Sequence, residues 1–221
     1  MLLFQLLAYT GTKPLVSSLA KHDLSLAADK KLPFLPGWIV IYLLSYVYWL
    51  VGGLIILKSE KACAYRFTFS YCVSMILSGI IFLLVPVTIS RPEITGNGLI
   101  PALMRWLYRM DEPTNLFPSL HVMISWYCTR GLFHAEKLPL FTRWLSFFFT
   151  VLVCFSILFV KQHLILDIPS AIFIAELSLL FSKLIRAERA GFFLEKRLKN
   201  QAPDDMKKTS LPPDGGSDYE Q

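Results

Sequence analysis

The chain has 221 residues, 54% of them hydrophobic and 17% charged, with a formal net charge of +6. The length allows one domain, and the gathering of apolar residues into long blocks excludes an ordinary soluble globule. The excess of Lys and Arg sits between those blocks, so it is read as a membrane-topology signal and not as the footprint of a nucleic-acid partner.

Residues 1–19 begin MLLFQLLAY and then meet Gly11, Lys13 and Pro14. They predict a short span or a helix lying in the interface, and they lack the basic start of a cleaved signal peptide. Four blocks, 38–57, 67–89, 144–160 and 164–182, each approach the roughly 20 residues needed to cross a bilayer, and none shows a polar face at helical spacing. Residues 118–133 are apolar enough to cross, although they carry His121 and end at Arg130. The expected fold is all-α: a polytopic membrane protein built as a six-helix bundle, with five spans as the alternative. Residues 1–199 form one transmembrane domain. Residues 200–221, rich in Pro, Gly, Asp and Lys, form a disordered cytoplasmic tail.

Alternating spans put three basic stretches on one side. Lys58, Lys61 and Arg66 form the first, and Arg130, Lys137 and Arg143 the second. Lys183, Arg186, Arg189, Lys196, Arg197 and Lys199 form the third. That side is expected to be cytoplasmic and to attract anionic lipid headgroups. The opposite, extracytoplasmic side receives 20–37, 90–117 and the 161–163 turn. Within it LIPALMRWLYRM predicts a short amphipathic helix. Arg105 and Arg109 are four apart and share a face, and Trp106 and Tyr108 suit an interface. This helix is either a surface anchor or a lid whose arginines meet phosphorylated headgroups. The four cysteines are scattered without metal-ligand or redox spacing and read as small packing residues. Glu176, inside the last block, reads as a hydrogen bond across the bundle.

Three polar clusters interrupt the apolar ends on the extracytoplasmic side: Ser90–Arg91–Pro92, then Pro118–Ser119 with His121, then Lys161 and His163 with Asp167. Ionisable residues at such depths are costly and point to function. His163 and Asp167 stand at i and i+4, so they lie on one helical face. A carboxylate on one imidazole nitrogen fixes the tautomer and makes the other more basic, as an activated nucleophile or base requires. His121 supplies the complementary acid. Ser119 and the free amides of a helix start favour an anion, and the Arg91 fork suits phosphate oxygens. Together these describe phosphoryl transfer better than acyl transfer, which wants an activated Ser or Cys. A zinc site wants a third close ligand.

The order RP, then PSLH, then H-x-x-x-D resembles the type-2 phosphatidic acid phosphatase superfamily, over roughly 85–170. That superfamily includes lipid phosphatases, sphingomyelin synthases and inositol phosphorylceramide synthases. The resemblance implies a six-helix membrane fold, an extracytoplasmic site and a phospho-histidine intermediate that needs no metal or other cofactor. Carried over, His163 is the nucleophile, Asp167 orients it, His121 is the acid and base, and Arg91 and Ser119 hold phosphate. This chain departs from the pattern. Leu84 stands where the family has a lysine, Leu120 where it has a glycine, and Ile157 where it has an arginine. Lys161 is the expected replacement for one missing cation, and Arg105 or Arg109 for the other. The expected activity is a lipid phosphatase acting on a phospholipid or isoprenoid phosphate. The alternatives are a lipid headgroup phosphotransferase and, outside enzymes, a transporter. The expected location is the plasma or inner membrane, with the C-terminus cytoplasmic.

Overall fold

A computed structural model describes residues 2–135 and 138–201; of the tail expected over 200–221, the first two residues end a helix that runs Ala187–Gln201, and Lys137 and residues 202–221 lie outside the described residues. In chain order the helices are α1 (Leu2–Leu6), α2 (Lys13–Ser17), α3 (Ala27–Lys31), α4 (Ile39–Leu57), α5 (Lys61–Leu84), α6 (Leu99–Met110), α7 (Leu120–His134), α8 (Leu140–Phe159), α9 (Asp167–Leu184) and α10 (Ala187–Gln201). Among the described residues there is no strand. One isolated parallel bridge pairs His22 with Val87.

Local chemistry sets several of the boundaries. Pro86 follows α5 closely and cannot continue it. Pro139 precedes α8, and Ser119 caps α7 with its Oγ accepting from Val122 N at 3.4 Å. Asp167 opens α9, where a carboxylate meets the positive end of the helix.

Among the described residues, three helices are long and apolar enough to cross a membrane: Pro36–Leu57, which includes the turn leading into α4, Lys61–Leu84 and Leu140–Phe159. A fourth crossing appears if α9 and α10 count as one span, bent by 67°. The remaining two of the six expected spans fall short. Residues 1–19 break into α1, a π-helical turn at Leu7–Gly11, and α2. At 15 residues, α7 is roughly 22 Å long against the roughly 30 Å of a hydrocarbon core.

Helix α7 is instead the centre of the molecule, packed by α4, α5, α8 and α9. Eleven of its fifteen residues are buried, so its apolar character serves helix packing. Small residues allow the close approach. A Cβ on Gly52 would stand 2.7 Å from Cys128 Sγ, and one on Gly131 2.3 Å from Ile56 Cδ1. Hydroxyls link the helices: Tyr48 to Ser146 at 2.6 Å, Thr129 to Thr150 at 2.8 Å, and Trp49 Nε1 donating to Ser125 Oγ at 2.8 Å. The cysteines are free, with Cys128 packed in the core. Glu176 bonds across the bundle as expected, accepting from Trp126 Nε1 at 2.7 Å and pairing with Arg130. Large apolar side chains face outward along α4 and α8, among them Leu50, Leu54, Phe141 and Phe148, as contact with lipid tails allows.

Candidate active site

The turn Lys161–Leu166 joins α8 to α9 at the end of the bundle where α7 begins. Its backbone is tied to α8, with Gln162 N and His163 N both donating to Ile157 O at 3.0 and 3.2 Å. His163 is buried, and its Nδ1 lies 2.9 Å from Asp167 Oδ2 and 3.1 Å from Leu116 O. Both neighbours are acceptors, so Nδ1 carries the proton and Nε2 keeps its lone pair. The i, i+4 spacing alone predicts half of this clamp. The other half, the Leu116 carbonyl, comes from the chain leading into α7. Asp167 is itself held: its Oδ2 also accepts from Leu164 N at 2.9 Å, while Oδ1 is buried without a partner.

His121, in the first turn of α7, sits 6.0 Å from His163 between ring centroids. Both rings line one cavity of about 350 Å³. Three rings of α4 hold His121. Tyr42 stacks on it at 4.2 Å, with Trp49 at 4.9 Å and Tyr46 at 5.5 Å. Its Nε2 is buried without a hydrogen-bond partner. More of the wall comes from Gln5 and Tyr9 of the N-terminal segment and from Trp106, Leu107 and Met110 of α6. Helix α6 is amphipathic, as its sequence predicts.

The structure brings together His121, His163 and Asp167. It does not bring the other expected phosphate ligands to them. Ser119 is fully buried, and its Oγ accepts from Val122 N in the α7 cap, a bond that leaves its O–H proton unused. Lys161 turns away: its Nζ donates to Asp29 O at 3.1 Å and Leu32 O at 2.8 Å, which ties the 20–37 segment to the turn. Lys161 itself has a positive φ of 52°. Arg105 and Arg109 are occupied on the outer surface of α6, donating to Gly96 O at 3.1 Å and Arg105 O at 3.3 Å. They line neither this cavity nor the next.

Arg91 stands between two spaces. Its Nη1 donates to Asp111 O at 2.5 Å and its Nη2 to Gln162 Oε1, and its guanidinium lies 4.7 Å from the Tyr108 ring centroid. Its Nε is buried and unpaired. Arg91 and Lys161 together line a neighbouring cavity of about 390 Å³, beside the histidine cavity. Burial lowers the Arg91 pKa from its ordinary value, with Asp111 and Tyr108 pulling the other way. Burial also lowers that of Lys161, against Asp29, and pushes Tyr108 up to about 12, against Arg91.

One ionisable residue of the cavity carries no motif signal: Asp111, just after α6. Its carboxylate accepts from Tyr9 OH and, at 3.5 Å, from Tyr42 OH, the ring stacked on His121. A lone Asp in a polar loop is indistinguishable from a solvated one in sequence, and only the packing of α6 on α4 and of the N-terminal segment on α5 reveals its place. Among the described residues, no three His, Cys, Asp or Glu side chains converge as a metal-ligating set.

Compared with protein-family models, characterised proteins and solved structures, the chain finds no match in any of the three.

Proposed function

We propose that this chain is an integral-membrane phosphoryl-transfer enzyme that hydrolyses a phosphorylated lipid through phospho-His163. The observation that carries the reading is the double clamp on His163 Nδ1, which leaves Nε2 as a nucleophile in the cavity shared with His121. The resemblance to type-2 phosphatidic acid phosphatases rests on the same residues.

In the first step the Nε2 lone pair attacks phosphorus and the bond to the lipid oxygen breaks. Protonated His121 gives its proton to that oxygen, so the lipid leaves as an alcohol. Neutral His121 then takes a proton from water, whose oxygen attacks phospho-His163. The P–N bond breaks, phosphate leaves and the lone pair returns to Nε2. Asp167 and the Leu116 carbonyl stabilise the Nδ1 proton while the ring carries the phosphoryl group. Charge on the equatorial oxygens needs a cation. Arg91 is the nearest candidate, and it reaches the phosphoryl group only by giving up its bond to Asp111 O or to Gln162.

A second reading is transfer of a phosphorylated headgroup to a lipid alcohol. The apolar lining of Leu43, Trp106, Leu107 and Met110 favours it, since an acceptor lipid could seat where water otherwise enters. In either reading the site faces the extracytoplasmic side and the basic ends of α5, α7 and α9 face the cytoplasm, as the charge bias dictates.

The deciding experiment measures phosphate release from phosphatidic acid, phosphatidylglycerol phosphate and an isoprenoid diphosphate in detergent micelles, with and without EDTA, beside His163→Ala. Release that needs His163 and survives EDTA is the expected result. Turnover by His163→Ala near the wild-type rate overturns the mechanism. No release, with headgroup transfer once an alcohol-bearing lipid is added, selects the second reading.

A further inference from the structure

At the end of the bundle opposite the histidines, α5, α7 and α9 enclose a second polar cavity of about 420 Å³. Its cationic lining is Arg66, Arg130, Lys183 and, by its ring, His134. Two of these cations have carboxylate partners: Arg66 pairs with Glu188 at 3.3 Å and Arg130 with Glu176 at 2.7 Å. Neither pairing uses up the guanidinium. Nε of Arg66 is shielded from solvent and makes no hydrogen bond, whereas Arg130 spends its Nε on Glu176. Lys183 has no ion-pair partner among the described residues. His134 donates from Nδ1 to Arg130 O at 2.8 Å, which leaves its Nε2 free. Among the described residues, Glu60 is the one carboxylate lining this space.

The same cavity is apolar on one side, where Phe67 and Leu179 line it. It adjoins a second space of about 370 Å³ that shares Glu60, Cys63 and His134 and adds Ile55 and Leu138. A soluble anion site has no use for that extension, whereas the glycerol and first methylenes of a lipid do.

We propose that this cavity binds a phosphate monoester group, carried by an anionic lipid of the leaflet on that side. The unpaired Nε–H of Arg66, the Lys183 ammonium and, once protonated, the Nε2–H of His134 match a group with three acceptor oxygens and up to two negative charges. A phosphodiester headgroup offers fewer oxygens and half the charge. The site stands apart from the histidines. His121 and His134 occupy opposite ends of α7, roughly 20 Å apart along the helix. Its occupant would therefore be a bound lipid that the proposed reaction does not consume.

The test uses the full chain carrying His163→Ala, so that nothing is turned over and the result does not depend on the proposed activity. Thermal stabilisation in detergent is titrated with phosphatidic acid, with phosphatidylcholine and with inorganic phosphate. Phosphatidic acid is expected to stabilise and phosphatidylcholine not to. Lys183→Gln is expected to weaken the apparent affinity about tenfold, and Lys183→Arg to restore it. Lys183 is exposed, so its replacement leaves the fold intact, and Arg66→Gln provides a second, independent loss. Stabilisation by inorganic phosphate as strong as by phosphatidic acid assigns the same chemistry to a free anion instead of a lipid. Equal stabilisation of the parent and Lys183→Gln, or equal stabilisation by the two lipids, overturns the proposal.

Discussion

Asp167 keeps one oxygen on the His163 N–H and on the Leu164 amide, and that pairing decides which imidazole nitrogen is free. Asp167→Asn preserves the shape but can turn an amide N–H toward Nδ1, which drives the proton onto Nε2 and removes the proposed nucleophile. Its kcat is expected to fall about 10²-fold or more with little change in melting temperature, measured by steady-state turnover beside a circular-dichroism melt. Lys161 separates the sequence expectation from the structure. If Lys161 held phosphate, Lys161→Ala would cripple turnover. Because it caps the Asp29 and Leu32 carbonyls, the expected outcome is near-normal kcat with stability lower by about 1–2 kcal/mol. Asp111→Asn removes the acceptor of the Tyr9 and Tyr42 hydroxyls and is expected to lower kcat through the Tyr42 ring that positions His121. A variant with unchanged turnover would make Asp111 a purely structural residue.

The helices assemble around close approaches that their sequences do not advertise. Gly52 lets α4 reach Cys128 of α7, the helix whose first turn carries His121, while Tyr42 and Trp49 of α4 hold that ring. Gly52→Val is expected to destabilise by about 1–3 kcal/mol through overpacking and to slow turnover by moving the ring stack. Both are readable by a melt and an activity assay on the same preparation; an unchanged melting temperature would show that α4 and α7 adjust freely. The periodicity of α6 was legible because an amphipathic surface helix has to show one. The arginines that mark its outer face proved to lie away from the cavity, and its apolar Trp106 and Met110 form the wall. The apolar content of 118–133 was equally plain, but composition cannot distinguish a helix wrapped by other helices from one wrapped by lipid. Length and burial decide that α7 is the former.

Across the whole molecule, the two ends differ in kind. One gathers 85–118, the 20–37 segment and the 161–166 turn around the histidines, and the other gathers the basic ends of α5, α7 and α9. Cysteines introduced at Lys21 and Lys58, both exposed, in a chain whose native cysteines are changed to serine, are expected to react with an impermeant maleimide from opposite sides of sealed vesicles. Labelling of both from one side would overturn the topology.

By itself the sequence determined the all-helical, membrane-compatible character of the chain and the pairing of His163 with Asp167. Apolar block length and i, i+4 spacing are local properties that survive in one dimension. It also pointed to His121 as the second imidazole, because ionisable groups at the mouths of apolar helices are too costly to be incidental. Only the tertiary structure decided which cations stand where. It sent Lys161 to the α3 carbonyls, Ser119 to a helix cap and Arg91 to the boundary between two cavities, and it placed Asp111 against the histidine site. A long side chain's destination depends on which acceptors the folded neighbours leave unpaired, and those acceptors come from segments as far away as residues 29 and 111.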